Sequence, residues 1–197
     1  MKSKSTRRMG TASSETRNAL IAAAAKIMND EGIVALTARR LADEVGLKRQ
    51  IVHYYFGTID DLIAGVIASS SAQAADQFEK LLASQNPLDV LWRPSKHVAA
   101  SSYEMMAAAL RRPEVAKAIG LTICELRSIA TDAVQRYFDE RSIIPPVDPV
   151  VITSLLIAIG NAQAVESALG IDFGHQQVRD FVDSLLQPLL IAHDESE

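Results

Sequence analysis

The sequence predicts an all-α protein, with a small three-helix unit at the N-terminus and a larger helical body behind it. Three observations carry that prediction. Alanine and leucine abound while aromatics make up 5% of the 197 residues, a composition that suits helix over sheet. Apolar residues recur at helical spacing, and no stretch alternates apolar and polar for long enough to argue a sheet. Proline and glycine fall between the periodic segments, where helices would stop, and no internal repeat is visible.

Residues 1–13 are polar and basic, with Lys2, Lys4, Arg7 and Arg8, and read as a disordered tail. A first helix is expected over residues 14–31, with Leu20, Ile21, Ala24, Ile27 and Met28 on one face and Gly32 as its stop. Two short helices follow within residues 37–56. Thr58 to Asp61 has the spacing of a capping box, with Asp in place of Glu, and opens a helix through Leu62, Val66 and Ile67 that extends towards Leu82. Asn86-Pro87 and Arg93-Pro94 bracket a short segment holding Trp92, the only tryptophan. Further helices are expected over residues 95–110, 114–140, 150–169 and 175–190, the last kinked or ended by Pro188. Pro145-Pro146-Val147-Asp148-Pro149 and residues 170–174 are the loops between them. The expected domains are thus a tail (1–13), a head (14–60) and a body (61–197).

A single cysteine, Cys124, excludes an internal disulfide and fits a reducing compartment. The basic N-terminus lacks the apolar h-region of a secretory signal, and the longest apolar run, residues 150–159, is too short to span a membrane. A cytoplasmic protein with no membrane partner is therefore expected. The net charge of −4 conceals an asymmetry: residues 1–57 hold ten Lys or Arg against five Asp or Glu, and residues 58–197 hold ten against nineteen. A front of +5 on a body of −9 is what an anion-binding module joined to a separate body would show.

Residues 37–56 carry the functional signal. Thr37 is placed to cap a short helix that turns Leu41, Ala42 and Val45 inward, and Gly46 stands where the stop needs a positive φ. A second helix then places Val52, Tyr55 and Phe56 at core spacing, which makes the pair a helix-turn-helix. Its outer face would present Lys48, Arg49, Gln50, His53 and Tyr54, with no acidic residue from Leu47 to Gly57. Arg and Gln make bidentate bonds to guanine and adenine edges, and Tyr contacts phosphate or a thymine methyl. Arg39 and Arg40, at the start of the preceding helix, would lie where backbone phosphates pass.

Residues 14–67 resemble the DNA-binding domain of TetR-family transcriptional regulators, through Leu36-Thr37, Leu41-Ala42, Val45-Gly46-Leu47, Tyr54-Tyr55-Phe56 and Asp60-Asp61-Leu62. The resemblance implies a three-helix DNA-binding head with a helix-turn-helix, followed by a helical ligand-binding and dimerisation body. It places Thr37, Arg39, Arg49, Gln50, His53 and Tyr54 on or near DNA. Three positions depart from the family pattern. Lys48 replaces a capping Ser or Thr, His53 replaces a tyrosine, and Ile59 stands where a lysine often grips phosphate. The operator preferred by relatives is therefore not transferable. The basic tail is either solvated or an arm reaching a minor groove.

In the body, the segment 150–169 is apolar on more than one face, and 175–190 presents a second apolar stripe. Val151, Leu155 and Ile159 with Val178, Phe181, Val182 and Leu185 are the expected homodimer interface, the alternative being burial in a monomer core. A two-fold dimer would set the recognition helices roughly 34–36 Å apart on a palindromic double-stranded operator. The resemblance implies a small apolar or amphipathic effector. Trp92, Tyr103, Met105, Met106 and Cys124 either line its pocket or simply pack the core. Cys124 reads as a buried small apolar residue. His97 and His175 have no partners at metal-ligand spacing, so neither metal nor other cofactor is expected, and no catalytic constellation recurs around Glu104, Glu125 or Glu166. The expected function is a homodimeric repressor released by an effector, not an enzyme. A DNA-binding regulator or architectural protein without an effector is the alternative, an all-α enzyme or helical adaptor a more distant one.

Overall fold

The computed structural model describes residues 6–92 and 106–191, and the side chains of residues 14–92 and 106–190. Every regular element among them is helical. The order is α1 (Thr6–Glu31), a 3-10 turn (Ile33–Ala35), α2 (Ala38–Val45), α3 (Arg49–Tyr55), α4 (Ile59–Ser84), α5 (Pro87–Trp92), α6 (Pro113–Glu140), α7 (Pro149–Ala168) and α8 (His175–Ile191), with residues 106–109 also helical. The expected all-α class is what the chain adopts. Two boundaries differ from expectation. Helix α1 begins at Thr6 inside the segment expected to be disordered, since no proline interrupts residues 6–16 and a helix once nucleated propagates cheaply. Helix α8 runs through Pro188 to Ile191, so the proline does not end it. Pro188 forfeits the bond to the Ser184 carbonyl, and the burial of Leu186 and Leu189 holds the helix on past it.

Two compact units emerge: Met1–Gln73 with Ala100–Thr122, and Ala74–Ala99 with Ile123–Glu197. The division falls inside α4 and α6, not in loops.

The first unit is built on the predicted face of α1: Leu20, Ile21, Ala24, Ile27 and Met28 are all buried. Gly32 breaks the helix at φ 84°, where a Cβ would be strained, and the 3-10 turn brings Ile33 and Leu36 back into the same core. Leu41, Ala42, Val52 and Phe56 join from α2 and α3, and Leu62, Ile63, Val66 and Ile67 from α4. Ala109 and Val115 close this core from far along the chain. Arg112 Nη1, just ahead of α6, meets Asp60 Oδ1 of α4 at 3.3 Å.

The second unit packs the end of α4, α5, and most of α6, α7 and α8 around Leu88, Val134 and Phe138. Asn86 caps α5 through Leu88 N, and its Nδ2 donates to Tyr137 Oη at 3.0 Å. Gly160 of α7 is buried against α5, where an added Cβ would lie 3.8 Å from the Leu91 carbonyl. Asp148 caps α7, with Pro149 in its first turn. Gly170 and Gly174, both at positive φ, make the turn into α8. His175 at the start of α8 is buried and its Nε2 lies 2.6 Å from Glu166 Oε2, while Gln163 Nε2 donates to the His175 carbonyl. Histidine and glutamate that look solitary in sequence are thus partners across the turn. Among the described residues no group of His, Cys, Asp or Glu is placed to hold a metal ion.

Helix α7 divides its apolar residues between the core and solvent. Ile152, Thr153, Leu156, Gly160 and Gln163 face the core, but Val150, Val151 and Leu155 are exposed. The 20-residue helix is long and apolar enough by composition to cross a membrane, with mean hydropathy 1.4 over an 18-residue stretch. The shorter run read from sequence understated that property.

Candidate nucleic-acid interface

The head's helix pair forms through local chemistry that each residue supplies in turn. Thr37 is extended and its Oγ1 accepts from Arg40 N at 3.0 Å, capping α2. Helix α2 buries Ala38, Leu41 and Ala42. Gly46 then enters the left-handed region at φ 67°, which lets Leu47 N donate to the Ala42 carbonyl at 2.9 Å and reverses the chain. Lys48 occupies the N-cap of α3 without making a side-chain cap bond, as its departure from Ser or Thr implies. Val52 and Phe56 anchor α3 in the core, with Ile51 and Tyr55 half-buried beside them. At the next helix start the reciprocal box closes: Thr58 N donates to Asp61 Oδ2 at 2.8 Å, and Asp61 N to Thr58 Oγ1 at 3.0 Å. Ile59 packs against the head core, so the position that departs from a phosphate-gripping lysine serves packing.

The outer face of α3 is left to solvent. Lys48, Arg49, Gln50, His53 and Tyr54 are exposed, Tyr54 at 79% with its ring edge-on to Tyr55. The side chains of Lys48, Arg49, Gln50 and His53 have no hydrogen-bond or ion-pair partner among the described residues. Their donors are therefore available to an incoming ligand at no cost in broken internal bonds. Arg39 is nearly as open, its side chain 87% exposed and 4.0 Å from Asp43.

Arg40, expected beside the phosphates, is engaged within the head. Its guanidinium grips Glu31 of α1 and, at 2.7 Å, Glu44 one turn along α2. Lys26 Nζ completes the network at 2.9 Å from the other Glu44 oxygen. Bonding to Glu31 and then Glu44 raises the Arg40 pKa further above its already high range. Lys26 and then Arg40 hold the Glu44 carboxyl below its usual range, and Glu44 in turn raises Lys26. Four charges thus tie α1 to α2. Only the Arg40–Glu44 pair, at helical i,i+4 spacing, was readable beforehand. Sequence reasoning also passed over Arg17, exposed on α1 with its guanidinium 5.1 Å above the Phe56 ring.

The described residues expected around an effector have individual settings. Trp92 is buried in the second unit's core, with Nε1 donating to Asp183 Oδ1 at 2.7 Å. Cys124 is exposed, not buried, because α6 faces solvent over Leu121, Ile123 and Glu125 as well. Met106 is also partly open to solvent, while Tyr103, Met105, His97 and Glu104 lie outside the described residues, as do Lys2 and Lys4 of the basic tail. Of the expected interface residues, Val151, Leu155, Val178, Phe181 and Leu185 are exposed and Ile159 is half-buried. Val182 belongs instead to the unit's own core, one step round α8 from Phe181.

Residues 20–66 match the family described as bacterial regulatory proteins, tetR family. No curated protein matches the chain significantly. Among solved structures, a TetR transcription regulator from Haloarcula marismortui is similar at TM-score 0.66 and 20% identity, over 87% of this chain and 95% of that one. A TetR-family regulator from Mesorhizobium loti gives 0.67 and 16%, over 90% and 96%. A transcriptional regulator from Saccharomonospora viridis, solved in complex with choline, gives 0.66 and 13%, over 88% and 96%.

Proposed function

We propose that this chain, whose N-terminal domain belongs to the TetR family and whose fold is that of TetR-family transcriptional regulators, is a cytoplasmic homodimeric repressor that a small-molecule effector releases from a palindromic operator. The observation that carries this reading is the outer face of α3, where Arg49, Gln50, His53 and Tyr54 stand free on a helix anchored by buried Val52. Arg49 and Gln50 read base edges in the major groove. Thr37, Arg39 and Lys48 position the head on phosphates, the Thr37 hydroxyl keeping its proton to donate while its oxygen caps α2. Arg40 acts through Glu31 and Glu44 by holding α2 against α1, rather than by touching DNA.

The second copy is supported by the exposed apolar face of α7 and α8. Leu155 and Phe181 are 56% and 62% exposed, beside Val151, Val178 and Leu185. Burying a large apolar side chain is worth about 1.5–3 kcal/mol. Ten half-exposed side chains across a two-fold interface recover roughly 10 kcal/mol, comparable with the about 4–15 kcal/mol that association costs. The same face explains an apolar α7 without a membrane. The effector is supported by the choline complex of a protein of this fold and by Thr153, fully buried with its Oγ1 unpartnered.

Selection of bound sequences from a random duplex library tests the proposal. The expected result is a near-palindromic site with half-sites one helical turn apart and a dimer bound to it. Salt-dependent binding with no preferred sequence would overturn it.

A further inference from the structure

We propose that the cleft where α4 meets α5 is a binding site for a small organic anion with an apolar body, in the first place a monocarboxylate. The cavity lies wholly within the second unit, between the last turn of α4, the start of α5, the last turns of α6 and Leu190 of α8. Its volume of about 590 Å³ falls in the range of small-molecule sites. None of Trp92, Met106 or Cys124 lines it, so it is not the pocket the sequence suggested.

Charge selects the ligand class. Arg136 and Arg141 both line the cavity, against one acid, Glu140, which sits 3.5 Å from Arg141 Nη1. One positive charge is left over. Arg136 has no hydrogen bond or ion pair among the described residues, and only the Nη1 of Arg141 is engaged, at the long distance of 3.5 Å to Glu140 and to the Tyr137 carbonyl. The remaining guanidinium N–H groups are free for a carboxylate, whose two oxygens match the guanidinium fork. A cation would meet two guanidinium groups and is disfavoured.

The wall is built before any ligand arrives. The Arg141 guanidinium carbon sits over the Tyr137 ring, 4.2 Å from its centroid, and this cation–π contact restrains the guanidinium. Tyr137 Oη accepts from Asn86 Nδ2 and donates to the Leu189 carbonyl, and Asn86 Oδ1 in turn accepts from Leu88 N. Leu82, Ala133 and Leu190 add an apolar strip to a lining that is otherwise mostly polar. Fixed donors beside that strip favour a carboxylate carrying a small ring or short chain over inorganic phosphate.

The site goes beyond operator binding, and its test needs no DNA, so the two proposals fail separately. The full-length, ¹⁵N-labelled protein is titrated with benzoate, and in parallel with benzyl alcohol and benzyltrimethylammonium as neutral and cationic counterparts. Benzoate is expected to bind saturably, with amide shifts centred on residues 82–87 and 133–141. Benzyl alcohol should bind about fivefold more weakly or worse, and the cation not at all. Arg136→Gln touches no internal contact, so it should keep the thermal unfolding profile while weakening benzoate about fivefold and leaving benzyl alcohol unchanged. No saturable benzoate binding up to about 10 mM, equal binding of benzyl alcohol, or an unchanged benzoate affinity in Arg136→Gln would each overturn the assignment.

Discussion

Two helix pairs in this molecule, α2–α3 and α7–α8, are each joined by a turn with glycine at positive φ and each leave one face in solvent. Their open faces have opposite chemistry. On α3 the exposed residues are Arg49, Gln50, His53 and Tyr54, which cost nothing to hydrate and offer donors to a polyanion. On α7 and α8 they are Val151, Leu155, Val178, Phe181 and Leu185, which gain only when water is removed. In the proposed function the α2–α3 pair would carry its own stability in a small core, with Leu41 and Val52 fully buried. In the proposed dimer the α7–α8 pair would draw part of its stability from association.

Breaking the apolar face should have the largest effect. Leu155→Asp with Phe181→Asp places charge on side chains exposed in the single chain, so helicity should persist while sedimentation shows a monomer. Operator affinity should fall by about 10²-fold or more, because the two heads lose their linkage. A double variant that remains dimeric would detach this face from assembly.

The head's own core comes next. Leu41→Ala removes a fully buried side chain and should cost about 2–5 kcal/mol in denaturant unfolding. On the open face of α3 the changes should be in selectivity: Arg49→Ala or Gln50→Ala should relax preference at one base pair by about 1–3 kcal/mol, read by binding to single-substitution operators. Unfolding of either variant should stay close to that of the parent.

The smallest effects separate the two neighbouring arginines of α2. Arg39→Ala should weaken all sequences alike and reduce the salt slope of binding by about 1. Arg40→Ala should leave that slope intact and instead loosen α2 from α1. Since the Glu44 carboxyl is held below its usual range by Lys26 and Arg40, its contribution is full above the carboxylate range of the unfolded chain. It is lost as pH falls through the lowered folded value. Acid unfolding monitored by circular dichroism should therefore begin at higher pH in Arg40→Ala than in the parent, and coincident curves would deny the network a stabilising role.

Much of the head was legible because its signals are local. Thr37, Gly46, Val52 and the Thr58–Asp61 box each act within a few residues of themselves, so residue type and spacing suffice to place them. The apolar stripes of α7 and α8 were equally plain, but which stripe each core claimed was not. Val182 and Phe181 are adjacent and equally apolar, and only packing against Leu88, Phe138 and their neighbours sends one inward and the other out. Cys124 was misjudged for the same reason, since periodicity cannot say which side of a long helix has a neighbour.

Sequence by itself thus determined the helical class, the helix-turn-helix and the identity of the residues on its open face, because hydrogen bonding within a helix and the conformational freedom of a turn glycine are short-range properties. Tertiary structure alone decided that Ala109 and Val115 close the head's core, that Arg40 is held by Glu31, and that Arg136 and Arg141 share a cleft with Asn86. Those contacts join residues distant in sequence, and proximity of that kind is set by how whole faces exclude water together, which no single stretch of chain encodes.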